Sequence, residues 1–215
     1  MLRPQREPFF NTSFEEPAII AKINPQLAAV ISALADVPAD QLAKASAIFH
    51  PRRVERGTML LHAGDVPHTL LFVVSGLLRL FYLDTAGNEF TKSFCDTNDL
   101  VSAYSALLLG TPSRLFIDAL EDTTLLVAEY SDYQALSAQH PCWARVNQKR
   151  AELLFIKKEQ RESALLLDDA QTRYQQFLSE YPDLDRRVKQ HHIASYLGIT
   201  PVSLSRIRAR LRVLT

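Results

Sequence analysis

Cysteine is scarce in this sequence. The two that occur, Cys95 and Cys142, are too few for a disulfide framework, a four-thiolate zinc site or an iron–sulfur cluster. They read as reduced, inert thiols of a cytoplasmic protein rather than as redox centres. Long apolar runs are missing as well. Nothing approaches the roughly 20 residues of a membrane span, so no membrane partner is expected. Residues 1–24 hold Arg3, Arg6, Glu7, Glu15 and Glu16 and lack the apolar stretch and cleavage site of a secretory signal. No glycine-rich phosphate loop and no nucleophile elbow occurs. No cofactor or metal is expected, and the chain reads as a non-enzyme.

Acid is missing from one end. After Asp185 there is no Asp or Glu, while Arg186, Arg187, Lys189, Arg206, Arg208, Arg210 and Arg212 give residues 186–215 a charge of +7. The whole chain is formally neutral, so residues 1–185 carry −7. A neutral average hides a basic tail on an acidic body, and a basic tail is where phosphate contacts would be made.

That tail holds the most informative stretch, His191 to Arg208. Ile193, Ala194 and Leu197 share one helical face. Gly198 can end that helix in a left-handed conformation. Thr200 can cap a second helix, with Pro201 in its first turn. Leu204, Ile207 and Leu211 then form an inward stripe. Ala194 is small where two helices must cross closely. The spacing predicts a helix-turn-helix. At about 100° per residue, Val202, Arg206 and Ala209 point away from the stripe, flanked by Ser203, Ser205 and Arg210. A short, polar, basic face suits the major groove of DNA.

The rest of the chain falls into several parts. Residues 1–24 read as an N-terminal extension. Residues 25–49 are helical in pattern, with a break at Pro38. From about Pro51 to Tyr130, short apolar runs alternate with turn signals every 8–12 residues, which predicts an antiparallel sandwich or roll. Asp99–Leu109 reads as a strand end followed by a short helix or loop. From Pro141 a long helix runs to about Leu166. It is apolar on more than one side, and a second copy of itself could cover what the roll does not. Val146, Leu153 and Ile156 are its candidate dimerisation residues. Asp168–Asp169 then breaks the helix and starts another. The expected domains are a roll over 25–140, a dimerisation helix over 141–166 and a helix-turn-helix domain over 167–215. The fold class is α+β.

This order resembles the Crp/Fnr family of bacterial transcription regulators. The resemblance rests on His192–Arg208 and on the turns Arg56–Gly57–Thr58, Gly64–Asp65, Ser75–Gly76 and Asp84–Thr85–Ala86–Gly87. It implies a cyclic-nucleotide-binding-like β-roll and a cytoplasmic homodimer on pseudo-palindromic double-stranded DNA. It also implies contact with RNA polymerase when the protein activates. By position, base readout carries over to Thr200, Pro201, Val202, Ser203, Ser205 and Arg206. Arg208, Arg210 and Arg212 fall to phosphates or to the domain's own surface, and Lys189 and His191 to the DNA backbone. The family usually adds a wing of two strands after the recognition helix, and residues 211–215 are too few to form one.

The same resemblance argues against cyclic AMP. Ser102–Ala103 stand where the family's nucleotide binders carry Gly-Glu, so the ribose carboxylate is missing. Ser113–Arg114 replace Arg-Ser in reversed order, which turns the arginine to the other face of an extended segment. Ser102, Ala103, Tyr104, Ser113 and Arg114 are the candidate lining of a pocket for a different, unidentified effector. Two other classes remain. One is a sensing or protein-interaction module whose helix-turn-helix no longer reads DNA. The other is a cupin-like metalloenzyme, although His50, His62 and His68 include no close His-x-His pair.

Overall fold

The computed structural model describes residues 17–214, and the side chains of residues 25–211. Helices α1 (Pro17–Leu34) and α2 (Ala39–Ile48) lead into strands β1 (His50–Val54), β2 (Met59–Leu61), β3 (Thr69–Ser75), β4 (Leu78–Leu83), β5 (Glu89–Cys95) and β6 (Leu100–Val101). Helix α3 (Tyr104–Leu109) precedes β7 (Phe116–Ala119) and β8 (Thr123–Glu129). Helices α4 (Tyr130–Ser137), α5 (Cys142–Leu167), α6 (Ala170–Glu180), α7 (Leu184–Arg187), α8 (Gln190–Leu197) and α9 (Pro201–Leu214) follow.

The strands form two antiparallel four-stranded sheets, in the orders β1-β8-β3-β6 and β2-β7-β4-β5. Strand β3 shows why. Leu71 and Val73 face the space between the sheets, where they meet Leu78, Leu80, Ile117, Ala119 and Leu125. Leu70 and Phe72 face outward, yet they are also buried, under α1, α2, α4 and α5. A strand covered on both faces reads as an unbroken apolar run rather than an alternation. At the β3–β4 corner, Gly76 adopts φ +102°, and a Cβ there would lie 2.7 Å from the Thr123 Cα. Only glycine fits so close a backbone approach.

Trp143, fully buried, anchors α5 against the first sheet's helical cover. Its indole N–H donates to Oε1 of Gln41 at 3.1 Å, and its ring meets Tyr133 edge-on. Asp169 caps α6 by accepting the Thr172 amide at 2.8 Å, as the break at Asp168–Asp169 predicts.

Two expectations need correction. Val146 is not on an open dimerisation face: it is buried among residues of the chain's own helical cover. The i, i+7 stripe it shares with Leu153 is real, but α1 and α2 close over its first turn. Helix α1 starts at Pro17, inside the stretch read as an extension; residues 1–16 lie outside the described residues. Between α6 and α8, Asp183 opens the short helix α7, whose Leu184 is buried.

Candidate nucleic-acid interface and ligand clefts

Helices α8 and α9 are joined by a three-residue turn. Gly198 adopts φ +68°, and its neighbour Ile199 donates to the Ala194 carbonyl at 3.0 Å. This closes the end of α8 as a left-handed cap does. Ala194 has no exposed surface at the crossing. Thr200 Oγ1 accepts the Ser203 amide at 3.1 Å and pairs with the Ser203 hydroxyl at 2.9 Å. Leu204 and Ile207 are buried against Phe177, Ile193 and Leu197.

The opposite face of α9 is open. Pro201, Val202, Ser205, Arg206, Ala209 and Arg210 are exposed, Val202 to 60%. Among the described contacts neither Arg206 nor Arg210 meets a carboxylate. Lys189 and His191, at the start of α8, are exposed as well. Arg208 stands apart from this set. It is paired with Asp185, and its Nε donates to the Tyr174 hydroxyl at 3.1 Å, so of its two possible roles it takes the domain's own surface. Arg187 is likewise consumed, by Asp96 and Glu121. Two of the seven cations of the tail are therefore structural. The Arg212 side chain lies outside the described residues.

The helix-turn-helix does not hang free. Ser195 on α8 accepts the Thr91 amide at 2.9 Å and donates to the Glu89 carbonyl at 2.8 Å. Nδ1 of His192 accepts from Arg79, whose guanidinium also meets Glu89 at 2.6 Å and Asp118 at 2.8 Å. Burial, reinforced by the Arg79 charge, pulls the His192 imidazole down to about 3. The imidazole is therefore neutral, with Nδ1 as acceptor and the proton on Nε2. From α5, Arg161 stacks on Tyr196 and donates to its carbonyl at 2.8 Å and to that of Thr91 at 3.3 Å. One guanidinium thus ties long helix, reader and roll together. Sequence reasoning missed this docking. Its one signal was a serine at 195 among apolar neighbours.

The predicted effector residues divide between two clefts. Ser102 and Ala103 line one of about 460 Å³, with Leu60, Leu71, Ile117 and Glu129. Ala103 also lines a second, of about 480 Å³, with Ser113, Arg114 and Tyr82. Ala103 is thus shared, while Ser102 and Arg114 are in different clefts. Tyr104 lines neither; Arg150 stacks over its ring at 4.8 Å. Ser113 is occupied internally, its hydroxyl accepting the Leu115 amide at 2.9 Å.

Residues 51–140 match the cyclic nucleotide-binding domain family. The chain is 26% identical over 196 residues to the probable transcriptional regulator flp of Lacticaseibacillus casei, a match covering 85% of each protein. The chain is thus similar along most of its length to a regulator of the Crp/Fnr type. It is 33% identical over 93 residues to the cyclic AMP receptor protein of Thermus thermophilus, a match spanning 43% of that protein's length. The solved structure of FixK2 from Bradyrhizobium japonicum superposes with a TM-score of 0.69 at 20% identity, covering 78% of this chain and 86% of that one. The fold is the antiparallel β-roll of Crp/Fnr proteins with a C-terminal helical domain. Among the described residues no helix is long and apolar enough to cross a membrane, and no three His, Cys, Asp or Glu side chains cluster to hold a metal.

Proposed function

We propose that this Crp/Fnr protein is a sequence-specific, DNA-binding transcription regulator of the cytoplasm that acts as a homodimer on a pseudo-palindromic site. One observation carries the reading. Helix α9 buries Leu204 and Ile207 and leaves Val202, Ser205, Arg206 and Arg210 exposed without carboxylate partners. Arg206 is the base-reading residue, since arginine can donate two bonds to guanine O6 and N7. Val202 meets a thymine methyl. Arg210, Lys189 and His191 contact phosphates. Thr200 caps α9, and Ser203 shares its hydroxyl, so these two position the helix.

In this reading the roll over 25–140 senses, the helix over 141–166 dimerises and 167–215 reads. Leu153, Leu154, Phe155 and Ile156 are consecutive and exposed, an apolar girdle that a second copy of α5 would cover. The effector is not cyclic AMP. Ala103 offers no carboxylate for a ribose, and Arg114 is exposed outside the cleft that Ser102 lines. RNA polymerase is the further partner when the protein activates.

The test is selection of bound duplexes from a random library, with Arg206→Ala in parallel. An inverted repeat with half-sites about 34 Å apart is expected, and Arg206→Ala should weaken it and relax the choice at one position by about 1–3 kcal/mol. No enrichment by the purified protein, with or without cell metabolites added, would refute the reading.

A further inference from the structure

The two clefts that meet at Ala103 differ in charge. The Tyr82 cleft carries Arg114. The other, about 460 Å³, carries Asp65 and Glu129, with His68, Thr69 and Ser102, and no Lys or Arg. Its floor is apolar: Leu60, Leu71 and Ile117 belong to the core between the sheets. A cleft of this size, apolar in depth with a few polar groups at one side, has the make-up of a small-molecule site.

The two carboxylates are not equivalent. Asp65 is engaged, accepting the His62 amide at 3.1 Å. Glu129 is half-buried at the end of β8, opposite Thr69 in the register with β3. No described hydrogen bond or ion pair occupies its carboxylate. A half-buried carboxylate favours a cationic partner, because the attraction is screened less than at a free surface. An anion placed beside it would meet like charge with no cation in the wall.

We propose that this cleft is the effector site of the roll and that it takes a small organic amine, its ammonium on Glu129 and its apolar body on Leu60, Leu71 and Ile117. A cyclic nucleotide is the wrong charge for it. The effector role rests on the regulator reading above; the binding does not.

The experiment is calorimetric titration of the full-length protein with tryptamine and with its charge-reversed analogue indolepropionate, without DNA. Tryptamine should bind and indolepropionate should not. Glu129→Gln, close in shape, should weaken tryptamine roughly tenfold, the loss of one charge-assisted bond, whereas Arg114→Ala should leave it unchanged. Thr69→Lys puts a cation opposite Glu129 and should admit indolepropionate. The inference is overturned if neither probe binds, if both bind alike, or if Arg114→Ala rather than Glu129→Gln abolishes binding. Failure of the regulator reading would look different: tryptamine would bind as stated while no duplex was selected.

Discussion

Arg187 meets Asp96 at 2.7 Å and Glu121 at 2.8 Å. The pair of contacts joins turn α7 to the loops that follow β5 and β7. The two carboxylates raise the guanidinium well above its ordinary range. Replacing Arg187 by Met would leave two partly buried carboxylates facing each other with no cation between them. We expect a loss of about 2–3 kcal/mol, read by urea unfolding, and faster proteolysis near α7. An unchanged midpoint would show that the docking does not depend on Arg187.

His192 makes the docking acid-sensitive. Its folded value of about 3 lies below the ordinary 6.5, so the unfolded chain binds a proton that the folded chain refuses. The contribution is fully present above pH 6.5 and is lost as pH falls from there toward 3. The slope approaches ~1.4 kcal/mol per pH unit. His192→Asn keeps an acceptor for Arg79 and cannot titrate. The difference between the two proteins' urea midpoints should widen in favour of the asparagine variant as pH is lowered from neutral to about 4.5.

The proposed dimer girdle of α5 can be tested apart from folding. Leu153→Glu combined with Ile156→Glu should give a folded monomer by sedimentation velocity, with the roll intact. Val146→Ala should do the reverse. It leaves the association state alone and costs about 2 kcal/mol of stability, because two buried methyl groups vanish from the chain's own core.

Arg208 and Arg210 are two residues apart and should behave oppositely. Arg210→Ala should flatten the log–log salt dependence of DNA binding by about one unit without affecting stability. Arg208→Met should leave the slope alone and lower the unfolding midpoint, since it strands Asp185.

Gln41 and Trp143 form a buried pair far from both sites. Gln41→Leu would leave the indole N–H without its acceptor, at a cost of about 1–3 kcal/mol. Trp143 is the single tryptophan, so its fluorescence reports the unfolding directly.

The roll was legible because its turns are local chemistry. Asp84, for instance, accepts the amides of Ala86 and Asn88 within one hairpin, and such signals survive in sequence. The helix-turn-helix was legible for the same reason: cap, turn glycine and stripe lie within 20 residues. What the sequence hid are pairings between distant elements. Arg208 stayed divided between phosphates and the domain's own surface because its partners, Tyr174 and Asp185, come from α6 and α7. Val146 looked like a dimer contact because nothing in α5 says that α1 and α2 close over it. Ser102 and Arg114 looked like one pocket because closeness along the chain does not show on which side of Ala103 each lies. Glu129 went unnoticed because a lone carboxylate at a strand end carries no local pattern.

Helix α9 is held to α8 at Pro201, which accepts from Gln190, and to α6 and α7 through Arg208, while α8 is bonded to β5. At 1.5 Å per residue, the 14 residues of α9 make a rod about 21 Å long. Turning such a rod by ~10° about the end that joins α8 sweeps its C-terminal tip by roughly 4 Å but moves Arg206, ~8 Å along it, by only about 1 Å. In the proposed reading, a small tilt of α8 therefore leaves the base-reading residues close to the pivot, and the C-terminal turns of α9 take most of the displacement.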